Sequence, residues 1–273
     1  MSGLRNLIPR WRSRRASVER VEEWLEDASS LILMGEYEGV VRACRHILRH
    51  VEPGTRQHGE ALGYLGMAYA MLQRFYDSYD VLTEALKIIP DDSFLWYNRG
   101  LSSRFTLRIG QSVRDFERAL ELGGKGDMRK RIADELKFSR KLAKDSMRLR
   151  GPKFTLDQLI EQEELFQQAV NLMGEEKWTE AEQTFRRVIE MGDCLPQPWG
   201  NLGMCLFMQK RFDEAETALK RALEVDPDYD LAHRNLQALE ETRRTGKMPL
   251  FGGTREPFAG KDVKRSIIFV EEE

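Results

Sequence analysis

Between about residues 21 and 243 the apolar residues recur at the three-to-four-residue spacing that gathers them on one face of an α-helix. Residues 201–227, NLGMCLFMQKRFDEAETALKRALEVDP, read as two amphipathic helices punctuated by Gly203, Ala215, Ala222 and Pro227. The punctuation repeats. Ala169 to Gly203, Ala181 to Ala215 and Phe185 to Leu219 each span 34 residues, as do Gly66 to Gly100, Ala85 to Ala119 and Leu82 to Phe116. Small residues at a fixed period mark places where two helices cross closely, because a larger side chain there would hold them apart. Gly203 and Gly66 take that position on first helices, and Ala215 and Ala222 face such a crossing from a second helix. Tyr37, Phe75, Trp178 and Phe212 open second helices and fill the gap at the inter-helix turn, while Pro90 and Pro227 end them, since proline has no amide donor.

A 34-residue helix–turn–helix period resembles the tetratricopeptide repeat, and the WxxLG of Trp199, Leu202 and Gly203 is its most specific match. The other positions carrying the resemblance are Trp24, Gly35, Gly66, Ala85, Pro90, Trp96, Gly100, Ala119, Ala181, Ala215, Ala222 and Pro227. The resemblance implies an all-α fold, a right-handed α-solenoid of helix pairs. Five units fit: 21–54, 59–92, 93–126, 162–195 and 196–229, with a closing helix at about 230–243 whose outer side is charged like a terminal cap. The third unit departs from the pattern at its turn, where Leu107 and Ile109 replace polar and aromatic residues.

The period breaks at 127–150, DMRKRIADELKFSRKLAKDSMRLR, which reads as one long helix with an irregular stripe of Met128, Ile132, Leu136, Leu142, Ala143 and Met147. Gly151-Pro152 stops it, and Thr155 with Gln158 forms a capping box that opens the next helix. One extra helix disturbs the alternation of inner and outer helices, so a bend or a division into two sub-arrays is expected there. The organisation is then a basic leader (1–20), repeats one to three (21–126), a connecting helix (127–154), repeats four and five with a cap (155–243), and a tail (244–273).

Composition narrows the function. With 41% hydrophobic and 32% charged residues and nine prolines, the chain suits a helical protein with a proper core, and a net charge of −2 gives no whole-molecule field towards nucleic acid or membrane. No run of about 18 apolar residues exists to span a bilayer, and the leader has no apolar core of a secretory signal. Three cysteines without a CxxC pair point to a reducing cytoplasm, with Cys44 and Cys205 acting as small apolar residues.

No catalytic constellation is present, so the chain is not expected to be an enzyme, to use a cofactor or to hold a metal. His46 and His50 have the spacing of a metal pair but no third ligand, and are read as solvent-exposed. Gly260-Lys261 fails as a phosphate loop because Arg255 and Asp262 occupy the required Gly and Ser/Thr places, and Gly123–Gly126 reads as a turn.

In proteins similar to this family, the first helices line a groove. Carried onto this sequence, the lining is Tyr64, Met67 and Met71 in unit two, and Phe94, Tyr97, Asn98, Leu101, Arg104 and Phe105 in unit three. Unit four adds Phe166, Val170 and Met173, unit five Asn201, Met204, Phe207 and Met208, and the closing helix Arg234 and Asn235. Methionine and aromatic side chains adapt to apolar partners, and asparagine offers a peptide backbone both donor and acceptor. The resemblance also permits a test against clamps for acidic chaperone C-termini. The matching positions here, Leu25, Ser29, Tyr64, Phe94 and Asn98, then Phe166, Val170, Asn201, Leu231 and Asn235, contain no lysine, so that clamp is not expected.

Two basic elements and the tail remain. Residues 1–20 carry six arginines with Leu4, Leu7, Ile8 and Trp11 interleaved, and the 127–150 helix carries nine lysines and arginines. Either is a solvated or packed segment, or a contact for anionic lipid or nucleic-acid phosphate. Ser266–Val270 is β-branched and apolar, suited to docking in a groove of this chain or another copy, or to being offered to a different protein. The expected function is a non-enzymatic adaptor or scaffold of the cytoplasm that holds an apolar peptide or helix of a partner protein and assists assembly or regulation of a complex. The alternative is a peripheral membrane or nucleic-acid adaptor working through the leader and the 127–150 helix.

Overall fold

The computed structural model describes residues 16–123 and 126–248. Twelve helices and no strand occur among them: α1 (Val18–Leu33), α2 (Tyr37–His50), α3 (Arg56–Met71), α4 (Phe75–Ile88), α5 (Ser93–Phe105), α6 (Ile109–Leu122), α7 (Gly126–Arg150), α8 (Leu156–Gly174), α9 (Trp178–Met191), α10 (Pro196–Met208), α11 (Phe212–Val225) and α12 (Asp230–Thr245). This is an all-α solenoid of helix pairs. The basic leader before residue 16, Gly124-Lys125, and the tail from residue 249 onward lie outside the described residues.

Local chemistry sets the helix ends. Ser17 and Thr55 cap α1 and α3 by accepting from the amides of Arg20 and His58. Thr155 and Gln158 form the anticipated reciprocal box before α8. Tyr37, Phe75, Trp178 and Phe212 are each the first residue of a second helix, and Ile109 takes that place in the third pair. α4 and α11 end just before Pro90 and Pro227. Each intra-pair turn holds one residue at positive φ: Gly35 at 75°, Gln73 at 57°, Leu107 at 59°, Glu176 at 59° and Lys210 at 63°. Only the first uses glycine, so the other four turns carry strain of about 1 kcal/mol each, held in place by the helices they join.

Contacts divide the chain into two compact units, one built from residues up to 103 with 115–133, the other from 104–114 with the residues from 134 onward. In the first, Val21, Leu25, Ala28, Val40, Val41, Cys44 and Ile47 pack with Ala61, Leu65, Ala68 and Tyr69. Leu62, Leu82, Ala85, Leu86, Ile89 and Leu95 continue that core. A Cβ on Gly66 would lie 2.5 Å from Leu82 Cγ, and one on Gly100 would lie 2.8 Å from the Phe116 ring. The Arg99 guanidinium is buried against Asp115, with Nη2 to Oδ1 at 2.5 Å, and Ser103 Oγ donates to the same carboxylate at 2.9 Å. Ala119 and Phe116 are fully buried beside this network.

In the second unit, Phe166, Ala169, Ala181, Phe185, Val188, Leu202, Cys205, Leu206 and Ala215 form the core, continued by Leu219, Ala222, Tyr229 and Ala232. A Cβ on Gly203 would lie 2.6 Å from Leu219 Cγ and 3.3 Å from the Ala215 carbonyl oxygen. Complete burial of Leu219 or Phe185 stabilises the unit by about 2–3 kcal/mol per side chain. Along α7 the stripe is as anticipated, with Ile132, Leu136, Leu142 and Ala143 buried. Replacing Gly203 with leucine should therefore lower the stability of the second unit by about 1–3 kcal/mol. Denaturant titration with amide exchange resolved by helix checks this, and the loss should appear in α10 and α11; an unchanged midpoint would contradict the crossing.

Candidate functional site

First helices share a face in each unit: α1 packs directly on α3, α8 on α10 and α10 on α12. In the first unit this face is open and mixed in character. A cavity of about 470 Å³ is lined by Glu22, Leu25, Glu26, Ser29, Ser30, Glu60 and Tyr64. Glu60 pairs with Arg56 at 3.0 Å, whereas Glu22 and Glu26 are exposed and make no ion pair among the described residues. Met71 and Phe94 are exposed apolar side chains, 57% and 42% accessible, and the Phe94 ring stacks on Tyr97 with centroids 6.5 Å apart. Tyr64, Met67, Tyr97 and Leu101 are half-buried. Asn98 is buried and its Nδ2 donates one of its two hydrogens to the Phe94 carbonyl within α5 at 2.8 Å. The expectation of an apolar lining needs amending here: the carboxylates make the first-unit face acidic as well as apolar.

In the second unit most of the anticipated lining is core. Phe166, Met204 and Phe207 are 4%, 7% and 2% exposed. Phe166 meets Phe185 edge-on at 5.7 Å, and Phe207 lies 5.6 Å from Phe212. Met173 and Met208 pack half-buried against the same cluster, and Val170 is buried within it. Arg104 is also misplaced as a surface residue. Its guanidinium is buried, ion-paired with Glu135, and lies over Phe138 at 5.1 Å, while Phe105 is half-buried. Arg234 is exposed and paired with Asp230 at 3.2 Å. Asn201 and Asn235 are 2% and 7% exposed, and the Nδ2 of each has no hydrogen-bond partner among the described residues.

The sequence profile of the tetratricopeptide repeat matches residues 196–229, the α10–α11 pair with its Gly203–Leu219 crossing. Residues 196–229 therefore carry one tetratricopeptide repeat. No curated protein sequence matches it. Among solved structures it is similar to YrrB, a TPR protein with an unusual peptide-binding site, at 17% identity over 80% of this chain and 96% of that one, TM-score 0.37. It is also similar to the TPR2AB domain of yeast Sti1 in complex with pHSP90, at 13% identity over 84% and 86%, TM-score 0.39. A third is pilF of Pseudomonas aeruginosa, at 12% identity over 93% and 98%, TM-score 0.37.

Several features of this repeat protein were not visible in the repeat pattern. Glu163 on α8 is buried and accepts from the backbone amides of Ile109 at 3.1 Å and Gly110 at 2.9 Å, the first residues of α6. A carboxylate at a helix N-terminus satisfies orphan amides and the helix dipole together. Gly110 makes the approach possible, because a Cβ there would lie 2.7 Å from Ile160 Cγ1. Arg150, expected on a solvated basic face, is instead half-buried, donates to Gln162 and to the Ser146 carbonyl, and shares the Glu163 environment with Arg108. The other basic residues of α7, from Arg129 to Arg148, are exposed. His46 and His50 are half-buried rather than exposed, packed on Trp24 at 4.6 and 5.7 Å, and no group of three metal-ligating side chains occurs among the described residues. The signal for Glu163 was faint: a glutamate inside the apolar register of α8.

Burial pushes the Glu163 carboxyl up to about 8, against the pull of Arg150, the two amides and Arg108. An unfolded glutamate titrates near about 4.3, so between those values the folded state holds a proton that the unfolded state has lost. This contribution is fully present below the unfolded value and is lost as pH rises towards the folded one. The melting-temperature advantage of wild type over Glu163→Gln should accordingly shrink between pH 5 and pH 8. A difference that stays constant across that range in thermal melts would exclude the linkage.

Proposed function

We propose that this repeat protein is a non-enzymatic adaptor whose first-unit face holds a partner segment carrying both apolar and cationic side chains. The observation that carries the reading is the open cavity beside Leu25 and Tyr64, rimmed by the carboxylates of Glu22 and Glu26, which make no ion pair among the described residues, with Met71 exposed on the adjoining α3. Apolar contacts supply affinity by removing surface from water, and the carboxylates select a cationic partner and speed its encounter. Phe94 and Tyr97 extend the apolar part along α5. Tetratricopeptide repeats are generally interaction modules, and a binding role in assembling or regulating a complex follows from that. The peptide-binding site of YrrB and the pHSP90 complex of Sti1 are in keeping with a peptide or protein as ligand here. No described helix is long and apolar enough to cross a membrane.

The exposed basic residues of α7 favour a second reading, contact with phosphates of lipid or nucleic acid, and salt separates the two. Phosphate contact should weaken by about 10³-fold or more between about 50 and 200 mM salt, whereas a mixed apolar face should change far less. With full-length protein and peptides that combine leucine or phenylalanine with arginine, Glu22→Lys with Glu26→Lys should weaken binding at least tenfold, about 1.4 kcal/mol. Met71→Ala with Phe94→Ala should do the same without shifting the melting temperature. Equal binding of acidic and basic peptides by wild type would overturn the proposal.

A further inference from the structure

Where α7 runs through the second unit, from residue 134 onward, its basic side chains fall on one line. Lys137, Lys141, Lys144 and Arg148 are all exposed. At about 100° per residue they share a sector of about 60°, and a rise of about 1.5 Å per residue spreads them over about 16 Å. Ser139, Leu142, Ala143 and Ser146 are buried on the opposite side of the helix, so the row is the outermost line of α7. It also differs from the rest of the unit in its pairing. Arg186, Arg211, Lys220, Arg221 and Arg243 are each held by a carboxylate, whereas these four cations make no ion pair among the described residues. Residues 126–150 carry nine lysines and arginines against four aspartates and glutamates, in a chain whose net charge is −2. The helix is therefore a positive strip on a protein that is otherwise net negative.

We propose that this row docks the protein on an anionic lipid surface. The inference rests on the phosphate reading of α7 and names the source of the phosphate; it is independent of the first-unit face. Charge is the only chemistry the row offers. Between residues 137 and 149 there is no asparagine, glutamine, threonine, tyrosine or tryptophan. The serines of that stretch are buried, and Phe138 is half-buried with the Arg104 guanidinium over its ring at 5.1 Å. Nucleic-acid interfaces add just such groups, polar side chains that bond to phosphates and bases and rings on which bases stack. Three of the four cations are lysines, compact point charges, where a defined phosphate favours the fork of arginine. A bilayer asks for neither bonding pattern nor stacking. Cations on the outermost line of a helix can face a plane together and are drawn by its negative surface potential. Leu149, 51% accessible, lies on the flank of the helix beside Arg148, where an apolar side chain can enter the headgroup region. Attachment of this kind is reversible and weakened by salt, and it needs no spanning helix.

The test compares full-length wild type with a full-length variant carrying Lys137→Glu, Lys141→Glu and Lys144→Glu. Vesicles of equal parts phosphatidylserine and phosphatidylcholine are the probe, with vesicles of phosphatidylcholine alone as the control. The leader is the same in both chains, so a difference between them reports the row. The variant should bind the anionic vesicles roughly tenfold or more weakly than wild type, with an unchanged melting temperature because all three positions are exposed. Lysine-to-arginine replacement at the same positions should keep the binding, and an excess of duplex DNA or single-stranded RNA should leave wild type on the vesicles. Equal binding of the anionic vesicles by wild type and the glutamate variant would overturn the proposal, as would equal binding of the two kinds of vesicle or loss of binding in the arginine variant. Displacement by nucleic acid would overturn it too, while leaving phosphate contact by α7 standing. Failure of wild type to bind either vesicles or nucleic acid would remove both. Peptide binding by the first unit is measured separately on the same chains.

Discussion

Close contact between a glycine backbone and a large side chain of the paired helix is the constraint on which the rest of the repeat depends. Gly66 against Leu82, Gly100 against Phe116 and Gly203 against Leu219 leave no room for even a methyl group. The large partner in each pair is fully buried, so the apolar area it removes from water rewards the approach. The alanines on the second helices, Ala85, Ala119, Ala215 and Ala222, are fully buried too. Once the crossing is fixed, the turn has little freedom, which is how Gln73, Leu107, Glu176 and Lys210 are held in left-handed backbone.

With the crossing occupying one side of each first helix, the opposite side is left to other contacts. The two units use it differently. In the first, Met71 and Phe94 stand exposed, and carboxylates ring a cavity beside Tyr64. In the second, the aromatic and methionine side chains are packed inward, and two carboxamides are buried whose Nδ2 atoms have no partner among the described residues. Buried polar groups without partners are uncommon in folded proteins.

Between the third and fourth pairs the repeat gives way to more costly polar chemistry. Glu163 holds α8 to the first amides of α6, and burial favours its neutral form against the pull of Arg150 and Arg108. Arg99 with Asp115 and Ser103, and Arg104 with Glu135, do comparable work in their own units. Buried ion pairs contribute little net stability relative to apolar packing, but breaking one is strongly destabilising because the other charge is left buried. They therefore fix which arrangement is adopted more than how stable it is.

The helix pairs and their crossings were legible in the sequence, because a 3.6-residue period and small residues recurring at a 34-residue spacing within each run of repeats are local facts about the chain. The long helix over 127–150 and the box at Thr155 were legible for the same reason. The fate of the first-helix side chains was not. Phe166, Phe207, Arg104 and Asn201 were indistinguishable in pattern from Tyr64, Met71 and Phe94, yet the former are buried and the latter half-buried or exposed. Sequence spacing says which side of a helix a residue occupies; whether that side meets water, a neighbouring helix or a distant carboxylate depends on contacts between segments far apart in the chain. By itself the sequence determined an all-α repeat with small residues at its crossings, since steric limits act between neighbouring helices. Only the tertiary structure decided that Glu163 closes on α6, that Glu22 and Glu26 edge an open cavity, and that Asn201 and Asn235 are buried, because burial and charge are properties of the assembled surface.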